Sequence, residues 1–229
     1  MIKTALEFWN NYVTGISTGS PRLDEAIGMI RPGSTYLFYG DWKPVEKLTY
    51  SLTVNTVKRG KPALILTAID YHSGSFLDLY DLGYTALQYG LDPDYCLKRV
   101  YVANMYNRRH VELADDLVKL SRRIGAGVII LYGATGVFRY WHYPKLLELL
   151  GRIKDALREV ALVITSWELK QRRYPPNPDG PVYLRHFSNV VVYFKVSRRH
   201  RGLVKAYVLK HPWRPPVSLI LRLRHHGLD

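Results

Sequence analysis

Ser34–Lys58 reads STYLFYGDWKPVEKLTYSLTVNTVK, and the fold is decided by how this stretch is parsed. Thr35-Tyr36-Leu37-Phe38-Tyr39 is an uninterrupted apolar run of strand length, Gly40 closes it, and Leu48, Leu52, Val54 and Val57 recur at helical spacing across Val45–Lys58. Strand, tight loop and helix in that order is the layout of a phosphate-binding loop. Such a loop needs G-x-x-x-x-G-K-[ST]: glycine N–H groups wrap the phosphates, the lysine meets their charge, and the hydroxyl holds magnesium. Counted from Gly40, the three chemical positions hold Val45, Glu46 and Lys47. Pro44 removes a backbone donor from the cradle, and β-branched Val45 resists the positive φ that glycine supplies. Placed in the first turn of the helix, Glu46 would satisfy the helix dipole, worth about 0.3–1 kcal/mol, in place of an arriving anion. The stretch therefore predicts the outline of a nucleotide site from which the chemistry has gone; an ordinary strand-to-helix turn is the plainer alternative.

Outward from this stretch, apolar runs and helical spacings alternate. Pro62–Thr67, Arg99–Ala103, Val128–Leu131 and Ala161–Thr165 read as buried strands, and Phe76–Tyr89, Val111–Ile124 and Leu146–Val160 as helices between them. This alternation predicts an α/β fold with a mostly parallel central sheet and helices on both faces. After a Pro- and Arg-rich loop over Trp167–Asn189, the strands Val190–Val196, Leu203–Leu209 and Ser218–Leu223 follow without helices, predicting a C-terminal antiparallel extension. Met1–Thr14 carries Leu6, Phe8, Trp9 and Tyr12 at helical spacing. Residues 1–15 are expected to form a helical segment, and 16–229 one domain.

The chain of 229 residues has a net charge of +14 and a single cysteine, Cys96. So lopsided a charge points to a polyanion or an acidic protein as partner. One cysteine excludes an internal disulfide, and the lack of a secretory signal or a long apolar run predicts a cytoplasmic protein without a membrane partner. The composition, rich in Arg, Tyr and Pro, would suit a thermophile. The eight histidines have no ligand spacing, so no metal and no cofactor is expected.

Several landmarks, taken in order, resemble the core ATPase domain of the RecA/RadA recombinase superfamily, most closely its archaeal RadA paralogues. Ile16-Ser17-Thr18-Gly19 with Leu23-Asp24 is similar to the family's opening motif, with Gly28 alone where a run of glycines is usual. Tyr89-Gly90-Leu91-Asp92-Pro93 and Tyr101-Val102-Ala103-Asn104-Met105-Tyr106-Asn107 resemble the segment between its second helix and third strand. Ser188–Val196, Arg198–Lys210, His211-Pro212 and Pro215-Pro216 resemble its closing hairpin and last strand. The departures fall on catalytic positions. Ser73 stands before Gly74-Ser75-Phe76 where the family has its catalytic glutamate, and Tyr132 follows Val128–Leu131 where the Walker B aspartate belongs. The resemblance thus implies an inactive ATPase whose degenerate nucleotide site comprises Gly40, Val45, Glu46, Lys47, Ser73 and Tyr132.

The resemblance also implies two DNA-binding loops. The first corresponds to Ala134–Pro144, with Arg139, Tyr140, Trp141 and His142; the second to Trp167–Ser188, with Lys170, Arg172, Arg173, Tyr174, Arg185 and His186. Cations among aromatics suit single strands, since charge meets phosphate and rings stack on bases. Arg198 and Arg199 open a further basic turn, and solvated loops with core-packed tryptophans are the plainer alternative. The chain begins almost at the core, and Phe8-Trp9-Asn10-Asn11 lacks the alanine of the family's Phe-x-x-Ala filament plug, so self-filamentation is not expected. The expected function is that of a non-catalytic accessory of DNA recombination and repair, with single-stranded DNA and a RadA-type recombinase or another RadA paralogue as partners. An ATPase with an aberrant site and a protein scaffold that binds no nucleic acid are the alternatives.

Overall fold

The computed structural model describes residues 15–68, 77–138, 140–154, 157–170 and 174–229. The expected N-terminal helix and the Ser73 segment lie outside these. Along the chain come α1 (Pro21–Ile27), β1 (Thr35–Gly40), α2 (Trp42–Lys58), β2 (Ala63–Thr67), α3 (Leu79–Gln88), α4 (Pro93–Leu97) and β3 (Val100–Asn104). A 3-10 turn, His110–Glu112, leads into α5 (Leu113–Ile124) and β4 (Val128–Tyr132); a second, Tyr140–His142, leads into α6 (Tyr143–Lys154) and β5 (Ala161–Trp167). The chain closes with α7 (Tyr183–Phe187), β6 (Val190–Val196), β7 (Leu203–Lys210), β8 (Val217–Arg224) and β9 (Gly227–Leu228).

Among the described residues nine strands form one sheet in the order β3-β2-β4-β5-β1-β6-β7-β8-β9. The first six in that order pair in parallel and the rest antiparallel, so the fold is α/β and RecA-like, with the antiparallel extension at its C-terminal side. Every residue of β1, β2 and β4 is buried, as strands covered on both faces require. One face, through Leu37, Ile129, Leu131 and Ile164, packs on α5 and α6 by way of Leu117, Leu146 and Leu150. The other, through Phe38, Ile65, Ile130 and Val163, packs on α2 by way of Val45, Leu48 and Leu52. Burial alternates along β7, with Val204, Ala206 and Val208 inside, which is the pattern of a sheet wetted on one side. Among the described residues no helix is long and apolar enough to cross a membrane.

Several segments differ from the sequence reading. The helix after β1 starts at Trp42 rather than Val45, because Pro44 is its third residue, where the helix has no use for an N–H. The five-residue α4, capped by Asp92 accepting from the Tyr95 N–H at 2.7 Å, stands where only a connection was expected. The long loop after β5 carries structure of its own: Glu168 bridges Pro178, and α7 occupies its end.

Candidate functional site: the end of the first strand and the basic loops

Gly40 ends β1 where two strands crowd each other. A Cβ there would sit 2.1 Å from the Phe194 carbonyl oxygen of β6, and φ is +129°, so only glycine fits. Asp41 follows as N-cap of α2 but makes no side-chain cap bond. Its carboxylate instead accepts from the Val196 N–H at 2.7 Å and from Lys195 Nζ at 3.0 Å. Lys195 also donates to Glu168 at 2.6 Å, so one ammonium joins the ends of β1, β5 and β6. Burial pushes the Glu168 carboxyl up, but hydrogen bonds from Lys195 and Tyr193 outweigh it and hold the group below the usual carboxylate range.

Because α2 begins at Trp42, its first turns occupy the residues that a phosphate-binding loop would hold open. Trp42 stacks on Trp167 of β5 with centroids 4.6 Å apart and meets the edge of Tyr132 at 4.8 Å. Val45 is fully buried in the core. Glu46 falls in the second turn, and the first turn has no acidic residue, so the expected dipole role does not apply. Its carboxylate accepts from Tyr132 at 3.3 Å and from Tyr50 at 3.4 Å. Burial raises the Glu46 pKa, and Lys47 beside it acts in the opposite direction. The Tyr132 hydroxyl, deep in the core, has its pKa raised by burial first and then by the neighbouring Tyr50 and Glu46. Lys47, with a side chain 6% exposed, points the other way and pairs with Asp81 of α3 at 2.5 Å. It also lies 5.6 Å from the Tyr50 ring centroid. Gly40, Val45, Glu46, Lys47 and Tyr132 are thus brought together, but as strand packing, core and two polar contacts. Trp42, Trp167, Tyr50 and Asp81 belong to the same cluster. The sequence carries no local sign of Asp81, which is 34 residues from its partner.

Of the residues assigned to the basic loops, Arg139, Arg172 and Arg173 lie outside the described residues. Tyr140 and Trp141 stand at the C-terminal end of the sheet, 79% and 67% exposed, and Lys170 is exposed beyond β5. Tyr174 is less free: its hydroxyl donates to Tyr207 Oη at 2.8 Å, and its ring meets Tyr193 and Tyr207 edge-on. Arg185 donates to Asn177 Oδ1 at 2.9 Å and so holds its own loop. Arg198 and Arg199 project from the turn between β6 and β7. The two loops follow the adjacent strands β4 and β5, and the Arg198–Arg199 turn follows β6, two places from β5 along the same C-terminal edge of the sheet.

No family model matches the chain. In sequence it is similar to the DNA repair protein RAD51 of Saccharomyces cerevisiae, 23% identical over an alignment 242 positions long that covers 93% of this chain and 58% of RAD51. The chain therefore spans little more than half the length of that relative. In structure it is similar to the RadB recombinase, with a TM-score of 0.76 at 18% identity over 93% of this chain and 98% of that one. The likeness in sequence and the likeness in structure each run over nine-tenths of the chain, and the fold they share is that of the RecA/RadA recombinases.

Proposed function

We propose that this protein is a non-catalytic RadA paralogue that assists DNA recombination or repair by binding single-stranded DNA and a recombinase partner. The observation that carries the reading is the course of the backbone from Gly40 to Lys47. α2 starts two residues after β1, Pro44 offers no N–H, and the lysine is committed to Asp81. A phosphate would meet no glycine cradle there, and the Lys47 ammonium is already paired; exposed Lys43 is the cation left in the segment. The relatives set the class of process, since one is a DNA repair protein and the other a recombinase. Affinity for single strands is supported by the exposed Tyr140, Trp141 and Lys170 at one sheet edge and by the charge of +14. A protein partner is supported by β3, which among the described residues pairs on one side only, with Tyr101 and Val102 each 40% exposed.

The test has two arms. A ligand that binds the native state raises the melting temperature by mass action, so millimolar ATP with magnesium should leave it unchanged. A clear rise would overturn the non-catalytic reading and favour an aberrant-site ATPase. Oligo-dT should bind at low salt and be released as salt rises; no binding at low salt would leave a scaffold.

A further inference from the structure

The turn between β3 and α5 is absorbed by neither the degenerate site nor the two basic loops. Met105 and Val111 anchor it, 1% and 3% exposed, and the Met105 N–H donates to the Thr67 carbonyl at 2.8 Å. Between these anchors all five residues, Tyr106, Asn107, Arg108, Arg109 and His110, are exposed. Asn107 sets their shape: its side-chain oxygen accepts from the Arg109 N–H at 2.8 Å and its carbonyl from the His110 N–H at 3.0 Å. Among the described residues no carboxylate pairs with Arg108 or Arg109; Glu112, exposed just beyond the turn, is the nearest acid in sequence.

This turn lies beside the first basic loop. Its 3-10 end, His110–Glu112, packs on α6, the helix into which the 3-10 turn Tyr140–His142 runs. Asn104 and Tyr132, at the ends of β3 and β4, both register with Thr67 of β2 from opposite sides. The two loops therefore start two strand spacings apart, about 10 Å. A bound single strand of several nucleotides covers that distance easily.

Resting on the single-strand reading above, we propose that Tyr106, Arg108, Arg109 and His110 form a third contact segment for single-stranded nucleic acid. The strand would run from Tyr140 and Trp141 to this turn. The arginines would meet two phosphates and the Tyr106 ring would stack on a base.

The experiment measures oligo-dT affinity against salt for the wild type, R108A/R109A, Y106L, Y106F and K170A, with polyglutamate as a competing anion and melting temperature as a check on folding. Two lost phosphate contacts should flatten the slope of log affinity against log salt by about 1.4 and weaken binding at 50 mM salt at least about tenfold. Y106L should weaken binding about fivefold or more without changing the slope, and Y106F should restore it. Should R108A/R109A melt early, R108Q/R109Q, which keeps the polar stems, takes its place. Wild-type affinity and slope in the arginine variant, with K170A still weakened, would overturn this inference and leave the single-strand reading standing. Loss of polyglutamate binding alone would assign the turn to an acidic protein and overturn it too. A wild type that binds no oligo-dT at low salt would overturn both.

Discussion

The Lys47–Asp81 pair is the sharpest test of the idea that this lysine is structural. Lys47 is 6% exposed in its side chain and Asp81 29%, and their charged atoms are 2.5 Å apart. Removing one member of a buried pair costs about 3–5 kcal/mol, because the survivor is left uncompensated in a poorly solvated place. The two truncations should therefore differ. Asp81→Ala strands the more buried charge, whose residual contact is the Tyr50 ring at 5.6 Å, so we expect a loss of about 3 kcal/mol. Lys47→Met keeps the apolar stem and leaves Asp81 to rehydrate at the N-terminal turn of α3, so about 1–2 kcal/mol is expected. The double variant, with neither charge, should lose less than the sum of the singles. Urea unfolding reads the differences as shifts in midpoint at constant slope. In a domain of this size the Asp81→Ala loss corresponds to roughly 6–12 °C in melting temperature. Equal small costs for both single variants, additive in the double, would refute a buried pair and free Lys47 for a ligand.

Gly40→Ala should cost about 4 kcal/mol or more, read by thermal melting, because the new Cβ would meet the Phe194 backbone at 2.1 Å and could not escape by a side-chain rotation. Glu46→Gln should stabilise the protein at neutral pH, since burial raises the folded pKa and the ionised form therefore carries a penalty in the native state. The advantage should shrink as the pH drops through the raised value and vanish below the ordinary glutamate value of 4.5, where the wild type is protonated in both states; a constant advantage across that range would argue against it. Replacing Lys170, Arg172 and Arg173 together by alanine should flatten the salt dependence of oligo-dT binding by about 2, whereas Trp141→Ala should weaken binding at an unchanged slope. If the triple variant matches the wild type in both, the loop after β5 is not a contact.

The strands were legible because burial on both faces leaves unbroken apolar runs: Ala63–Thr67 and Val128–Tyr132 differ from the expected spans by one residue at one end. The start of α2 was not. Pro44 reads as a break, and the spacing from Gly40 to Lys47 matches a loop template, yet the first turn of a helix accommodates a proline without losing a bond. That shift of three residues moved Glu46 from the first turn to the second and replaced a dipole argument with contacts to Tyr132 and Tyr50. Neither those contacts nor Lys47–Asp81 leave a periodic trace, because they join distant elements. The loop after β5 was seen as basic and Pro-rich, but its folding back onto β6 and β7 depends on Tyr174 meeting Tyr207. Composition shows where charge lies, and the partners it finds depend on topology.

The early start of α2 also bears on how such a chain can evolve. Substituting Gly, Lys and Thr at positions 45 to 47 would place the right letters on a helix that already has its backbone bonds and its core side chain, Val45, in place. Each intermediate would lose packing or the Asp81 pair before any phosphate could compensate. A gripping loop would need the first turn of α2 unwound and the Trp42–Trp167 stack parted, changes with no selectable benefit until all are made. The junction therefore resists such a change: with α2 seated directly after β1, single substitutions can refine the surface of the protein but cannot open a gripping loop one residue at a time.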